Sequence, residues 1–480
     1  MQLRSFLPAS SALSLVLLLP TATSFVHNSI EHSHWFETRA NTLATPQSQS
    51  SMPSLVIDTF QNPTHNDLGF WHGAGENLAM HHEPGILSLF PTDPDQNFHT
   101  QFDTKSCFSL LPWQNHFLHV VFEGTDQFTV SLNEHNADCY PRRSPFPGIP
   151  DSVQASRYMM RTKPGTSQED DSGDDGNEGA SVTRNSKQQH PKPKKCEDGN
   201  QDPSSQEKAE LFIPLSHFHI DHSRVMSVSF TGFYTNESLT LRRVELVSTI
   251  PAPSPSNGHF KIPEKLPSGK MVLRCSRPNS FAFGIDDGQP QYAQEVLRIL
   301  DEEDVRATFF VVGTGLRDPS TNFTRFYQEM LQRGHQVAFH SNTHPKMEGL
   351  PSLEKIDEEI TSMMQVFQDN LGIKSSYFRP PFGTVGARLR QQLAKYIPNP
   401  YIVNWSVDVE DWLWANTSTP EKQLDAFYRD VARGGNLAVM HYLHPTTVGY
   451  LRQFIQHAKR AGFKVMRIDQ CVEDPSSPPI

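Results

Sequence analysis

Between residues 268 and 475 the chain repeats one pattern, a short apolar run followed by a segment with helical periodicity. The runs fall at Phe281, Ala307, Gln336, Ser376, Tyr401, Asn436 and Phe463. After the first run, Ala293, Val296, Leu297 and Leu300 recur at i, i+3, i+4 and i+7, and a later segment carries Ile356, Ile360, Met363 and Phe367. Strands joined by helices return to the same edge and therefore run parallel, with helices covering the sheet. Seven βα repeats in about 210 residues predict an α/β fold, a closed but irregular (β/α)7-type barrel. In such a barrel the chemistry gathers at the carboxyl ends of the strands.

Residues 51–250 read differently. Strand-like runs such as Leu55-Val56-Ile57, Phe117 to Phe122, Phe128 to Leu132 and Val225 to Phe230 follow one another with no amphipathic helix between them, which predicts an all-β sandwich. The acidic tract at 167–176 cannot bury enough apolar area to offset the entropy of ordering it, so residues 162–208 are expected to be a disordered insertion within that sandwich. Strand character resumes at Leu211-Phe212-Ile213. The Pro/Ser-rich stretch at 251–267 reads as a linker. The front region loosely resembles a galactose-binding-like jelly roll, which implies a carbohydrate-binding domain without naming a sugar site.

Arg4, the apolar stretch at 12–19, Pro20 and the small residues Ala22-Thr23-Ser24 read as a secretory signal over residues 1–24. That run is too short to span a bilayer, and no comparable run follows, so a secreted or wall-associated monomer without a transmembrane segment is expected. Sequons at Asn236, Asn322, Asn404 and Asn416 fit that route, although Asn404 sits in an apolar strand and reads as chance. With 42 Lys and Arg against 53 Asp and Glu, the net charge of −11 offers no basic face for a phosphate backbone, which argues against nucleic acid. Five cysteines leave one unpaired in an oxidising space. Cys275 and Cys471 flank the barrel repeats and would tie its two ends. Cys107 pairs plausibly with Cys139, leaving Cys196 over, but Cys139 with Cys196 would bracket the insertion equally well.

The strand ends carry polar clusters. Asp286-Asp287-Gly288 closes the first repeat, and two adjacent buried carboxylates call for a cation or a proton, although the tripeptide also suits a surface turn. His340 and His344, four residues apart, can converge on one ion and, with a carboxylate, leave positions open for water and substrate. Arg379, in Arg379-Pro380-Pro381-Phe382-Gly383, could hold an unligated carboxylate such as Asp286. Asp408-Val409-Glu410-Asp411-Trp412 and His441 complete the series. A carboxylate beside His441 would raise its basicity and make it a competent acid. Trp412 reads as a sugar-facing wall or as core.

This order of motifs resembles the polysaccharide deacetylase (NodB homology, carbohydrate esterase 4) family over residues 280–474, and His441-Tyr442-Leu443-His444-Pro445 is most similar to the fungal chitin deacetylase branch. The resemblance implies that Asp287, His340 and His344 hold one divalent ion, zinc first and cobalt second. It implies that Asp286 is the general base and His441 the general acid, with Arg379 orienting Asp286 and Asp411 tuning His441. The Phe382 N–H would meet the oxyanion, Trp412 would line the groove, and Leu437 and Met440 would lie by the acetyl pocket, where Val439 and Met440 stand in place of more usual leucines. The expected substrate is chitin, chitooligosaccharide or a related N-acetylglucosamine polymer. Gly284-Ile285 departs from the hydroxyl residue and Phe common there, a change expected to touch packing more than chemistry.

His217-Phe218-His219-Ile220-Asp221-His222 matches a metallo-β-lactamase metal signature, but the strand-like run after it argues for a loop. An O-acetyl esterase acting on xylan and a non-catalytic wall-binding protein are the rival functions. The intact base, ligands and acid speak against the second of these.

Overall fold

The computed structural model describes residues 52–480 except 76, 104, 144–149, 161–207 and 253–259. The expected signal at 1–24, the insertion at 162–207 with Cys196, and the centre of the linker lie outside the described residues. The described residues belong to one compact unit.

A nine-stranded parallel sheet positions the site. Its strands are β1 (Lys270–Val272), β2 (Ser280–Gly288), β3 (Thr308–Val311), β4 (Gln336–Phe339), β5 (Tyr377–Phe378), β6 (Tyr401–Val403), β7 (Val407–Asp408), β8 (Leu437–Tyr442) and β9 (Lys464–Val465). They are ordered β1-β6-β5-β4-β3-β2-β8-β7, with β9 beside β2. The helices Pro290–Glu302 and Leu353–Leu371 bury the apolar stripes expected of them, Ala293, Val296, Leu297 and Leu300 in one and Ile356, Ile360, Met363 and Phe367 in the other.

The sheet curls but does not close, which corrects the closed barrel. Its ends, β1 and β7, are not paired with each other. Strands β6 and β7 are separated by three residues yet lie at opposite ends of the sheet, so residues 404–406 cross the opening as irregular chain. Asn404 N–H donates to the Val272 carbonyl and Ser406 N–H to the Leu437 carbonyl, each at 2.9 Å. Strands β1 and β7, of three and two residues, have no counterpart among the seven runs read from the sequence.

Two apolar cores flank this sheet. Phe281, Phe283, Ile285, Phe309, Phe339 and Met440 pack with the helices. Ala282, Phe310, Ala338, Val403 and Leu437 fill the inner side, capped below by Cys275 bonded to Cys471. Among the described residues the front region forms two antiparallel sheets, of seven and five strands, sharing a core that includes Phe98, Phe122, Phe128 and Phe230. A second disulfide joins Cys107 to Cys139. The two regions meet through buried charge: Asp151 of the sandwich pairs with Lys265 at 2.9 Å and with Arg390 at 3.1 Å. Among the described residues, no helix is long and apolar enough to cross a membrane.

Candidate active site

Neighbouring residues of a strand point to opposite faces, so Asp286 and Asp287 would normally part. A bulge prevents this. In β2, Asp286 is the register partner of His441 and Gly288 that of Tyr442, which leaves Asp287 unopposed, with φ 29°. The extra residue lets the pair serve one site. Gly288 is required next to it, because a Cβ there would overlap the Tyr442 ring.

His340 follows β4 on its inner side, and the turn after it is tight. Ser341 and His344 both have positive φ, 63° and 65°, and the His344 N–H donates to Ser341 Oγ at 2.9 Å. The chain thus doubles back and brings the two imidazoles to 5.0 Å, centroid to centroid. Asp287, His340 and His344 each offer a donor atom, all within 4.8 Å of one another, and among the described residues they are the cluster of metal-ligating type. His344 Nε2 lies 3.1 Å from Asp287 Oδ2. Ligands about 2.1 Å from a tetrahedral zinc sit roughly 3.4 Å apart, so little closure is needed to hold one. His340 Nδ1 donates to the Arg379 carbonyl at 2.7 Å, which leaves Nε2 with its lone pair for an ion. Burial lowers the His340 pKa to about 4, so the ring is neutral as a ligand must be.

Arg379 is fully buried. Its Nη1 pairs with Asp286 Oδ1 at 2.6 Å, Nε donates to the Val403 carbonyl and Nη2 to that of Asn404, and the guanidinium rests 4.3 Å from the Phe310 ring centroid. The chain that crosses the sheet opening therefore supplies acceptors to the arginine. A Cβ at Gly284 would overlap the guanidinium, so the bare backbone there leaves the room that Arg379 occupies beside Asp286. Burial raises the Asp286 carboxyl above its ordinary range, against the charges of Arg379 and His441 and the Arg379 hydrogen bond.

Asp411 and His441 form the second pair. His441 Nδ1 donates to Asp411 Oδ1 at 2.9 Å, and its backbone N–H donates to Oδ2 at 2.7 Å. Burial disfavours the imidazolium, but the charge and hydrogen bond of Asp411, with Asp286 and Asp287 adding, outweigh it and raise the pKa to about 9.

Trp412 is 69% exposed and Phe382 59%, which excludes core packing for both. The Phe382 ring stands 4.8 Å from that of His344, on a residue with φ 61°. Asp408, present in the Asp-x-x-Asp-Trp stretch but given no role from the sequence, accepts from the Glu410 N–H at 2.7 Å, and burial, with the Asp411 charge adding, raises its pKa to about 6. Two other expectations fail. Met440 is buried in the helix-facing core, on the face of β8 opposite His441, and cannot line an acetyl pocket. Leu437 faces inward but lies buried in the inner core at the start of β8, four residues below His441. The alternation of β8 instead places Val439 on the His441 face.

The His217-to-His222 stretch assembles no metal site. His217 Nδ1 meets the Tyr158 hydroxyl at 2.8 Å, His222 Nε2 meets the Phe218 carbonyl at 3.0 Å, and Asp221 is engaged by Ser223 and Arg224.

Residues 274–397 match the family model described as polysaccharide deacetylase. A peptidoglycan-N-acetylglucosamine deacetylase of Listeria monocytogenes is 32% identical over 212 residues, which are 44% of this chain and 41% of that protein. Chitin deacetylases of Pestalotiopsis sp and Colletotrichum lindemuthianum are 27% and 26% identical, over 44% of this chain and 70% and 86% of theirs. The solved structure of a Colletotrichum lindemuthianum chitin deacetylase aligns at 23% identity and a TM-score of 0.40, covering 45% of this chain and 95% of that one. The match thus spans less than half the length of the bacterial relative. The chain carries a polysaccharide deacetylase domain, and its relatives by sequence are chitin and peptidoglycan deacetylases.

Proposed function

We propose that this chain is a metal-dependent hydrolase that removes N-acetyl groups from chitin or a related N-acetylglucosamine polymer outside the cell. The observation that carries the reading is that a buried carboxylate–arginine pair and a carboxylate-tuned histidine stand as register partners on adjacent strands, Asp286 and His441, beside a three-donor metal cluster. The donors, one carboxylate and two imidazoles, suit a divalent ion, zinc first and cobalt second. When bound, such an ion supplies Lewis acidity toward the acetamide carbonyl and the attacking water.

The protein's own groups do the rest. Asp286, raised by burial and held by Arg379, takes the proton of the attacking water. The Phe382 N–H serves the developing oxyanion. His441, charged at neutral pH through Asp411, gives its proton to the departing nitrogen, so that the C–N bond breaks and acetate and a free amine result. Trp412 and Phe382 form apolar walls for the sugar rings. The sandwich, which loosely resembles a galactose-binding-like jelly roll, adds a carbohydrate-binding layer.

Acetate release from chitin oligomers and from acetylated xylan, by protein stripped of metal and then given zinc, tests the reading. Zinc-dependent release from chitin that Asp286→Asn abolishes is expected. Release from xylan alone would replace it with an esterase, and no release from either would overturn it.

A further inference from the structure

The turn between the strands Ile86–Phe90 and Asn97–Gln101 brings two carboxylates of the sandwich onto the rim of the site. Lys346, two residues after His344, donates to Asp93 Oδ1 and Oδ2 at 2.8 Å each and pairs with Asp95 Oδ2 at 2.6 Å. Asp95 Oδ1 also accepts from Thr384, two residues after Phe382. One sandwich carboxylate therefore joins the turn bearing His344 to the turn bearing Phe382.

The turn holding these carboxylates is itself braced. Gln96 Oε1 accepts from the N–H groups of Thr92 and Asp93, at 2.7 and 3.2 Å, and the Asp95 N–H donates to Asp93 Oδ1 at 2.9 Å. Pro94 packs against Gly349, where a Cβ would come within 2.8 Å of its ring. On the other side of the contact, the Lys346 ammonium stands 5.5 Å from the centroid of the Phe382 ring, and that ring touches His344. Asp95, Lys346, Phe382 and His344 thus form a continuous chain of contacts from sandwich to metal cluster. Both turns hold a non-glycine residue at positive φ, His344 and Phe382, a conformation that costs about 1 kcal/mol or more and persists where surrounding contacts fix it.

We infer that Asp95 is a positioning residue for the deacetylase site, a part of that site contributed by the sandwich, and that the sandwich is therefore a structural wall of the catalytic centre and not a module tethered by a linker. The inference rests on the proposed function only for its activity readout. Its other readout is zinc affinity, which follows His344.

The test uses the full chain carrying Asp95→Ala, with Asp95→Asn and Thr384→Val as milder variants, and the sandwich pair Glu123 and Arg242, bonded at 3.0 and 3.1 Å away from the rim, as a control through Glu123→Gln. Zinc affinity by chelator competition, kcat and KM for chitin oligomers, and Tm are read for each. Asp95→Ala is expected to weaken zinc binding roughly tenfold, the lower end for groups that orient a metal ligand. It should lower kcat with little change in KM, while Tm falls no more than in the control. A double-mutant cycle with Lys346→Ala should show that the two losses do not add. Zinc affinity and kcat unchanged in all three variants would overturn the inference, as would losses that track Tm. A wild-type chain that binds zinc but releases no acetate would sink the proposed function alone, since the zinc titrations of the variants would still decide the role of Asp95. A wild-type chain that binds no zinc would overturn both.

Discussion

Asp411 grips His441 at two points, its Oδ1 accepting from the ring Nδ1 at 2.9 Å and its Oδ2 from the backbone N–H at 2.7 Å. The ring is thereby fixed in direction and tautomer, with Nε2 left free to face a substrate nitrogen. Orientation and charge come from one buried carboxylate.

Replacing Asp411 with Asn should therefore move the pH profile. An acid with its pKa raised to about 9 works while protonated, so kcat/KM is expected to fall as pH rises through that value. An ion on Asp287 would cancel that residue's share of the shift and place the limb somewhat lower, while the Asp411 share remains. In Asp411→Asn the alkaline limb should move toward the ordinary histidine range, with a loss of roughly tenfold or more at pH 8 measured by acetate release. An unmoved limb would remove His441 from the acid role.

Zinc should stabilise the fold through the three-donor cluster. At a concentration of about 100 Kd, binding contributes about 2.7 kcal/mol, which for a unit of this size is a rise in Tm of roughly 3 °C. Calorimetry of His344→Ala and Asp287→Asn should show the rise abolished. A rise that persists in both would place the ion elsewhere.

Gly284→Ala should damage the site without touching a reacting group. The added methyl occupies the space of the Arg379 guanidinium, so the arginine must leave Asp286 or the strands must part. Overpacking of this kind costs about 1–3 kcal/mol. Urea unfolding should show that loss, and kcat should fall by roughly tenfold or more. Full activity in this variant would mean that Arg379 has slack that its hydrogen bonds do not suggest.

The two disulfides should differ in their worth. Cys275 and Cys471 are 196 residues apart, Cys107 and Cys139 only 32. In the chain-entropy account the longer loop restricts the unfolded chain more, by about 1.5 kcal/mol. Denaturant titration of Cys275→Ser with Cys471→Ser, against Cys107→Ser with Cys139→Ser, should rank them in that order.

Much of the site was legible because chemistry-bearing residues sit in short stretches at strand ends, and each stretch carries its own local signal. Asp286-Asp287, His340 with His344, Arg379, Asp411 and His441 could each be read without knowing what lay opposite. The parallel alternation was equally readable from helix stripes such as Ile356, Ile360, Met363 and Phe367. The face of Met440 is legible too, since a strand that turns His441 inward turns Met440 outward.

Other features needed the folded chain. The bulge that turns Asp287 to the side of Asp286 depends on the register of β2 against β8, and register is a property of two strands. Closure failed because the passage of residues 404–406 between opposite ends of the sheet is set by packing around Arg379, with no periodic trace in three residues. The grip of Asp95 on Lys346 and Thr384 joins residues more than 250 positions apart. The sequence by itself determined which groups this chain can bring to a reaction, because motif chemistry is local. Which of those groups share a face, and what holds them there, was decided only by tertiary structure, because distance between remote side chains is set by the whole packed fold.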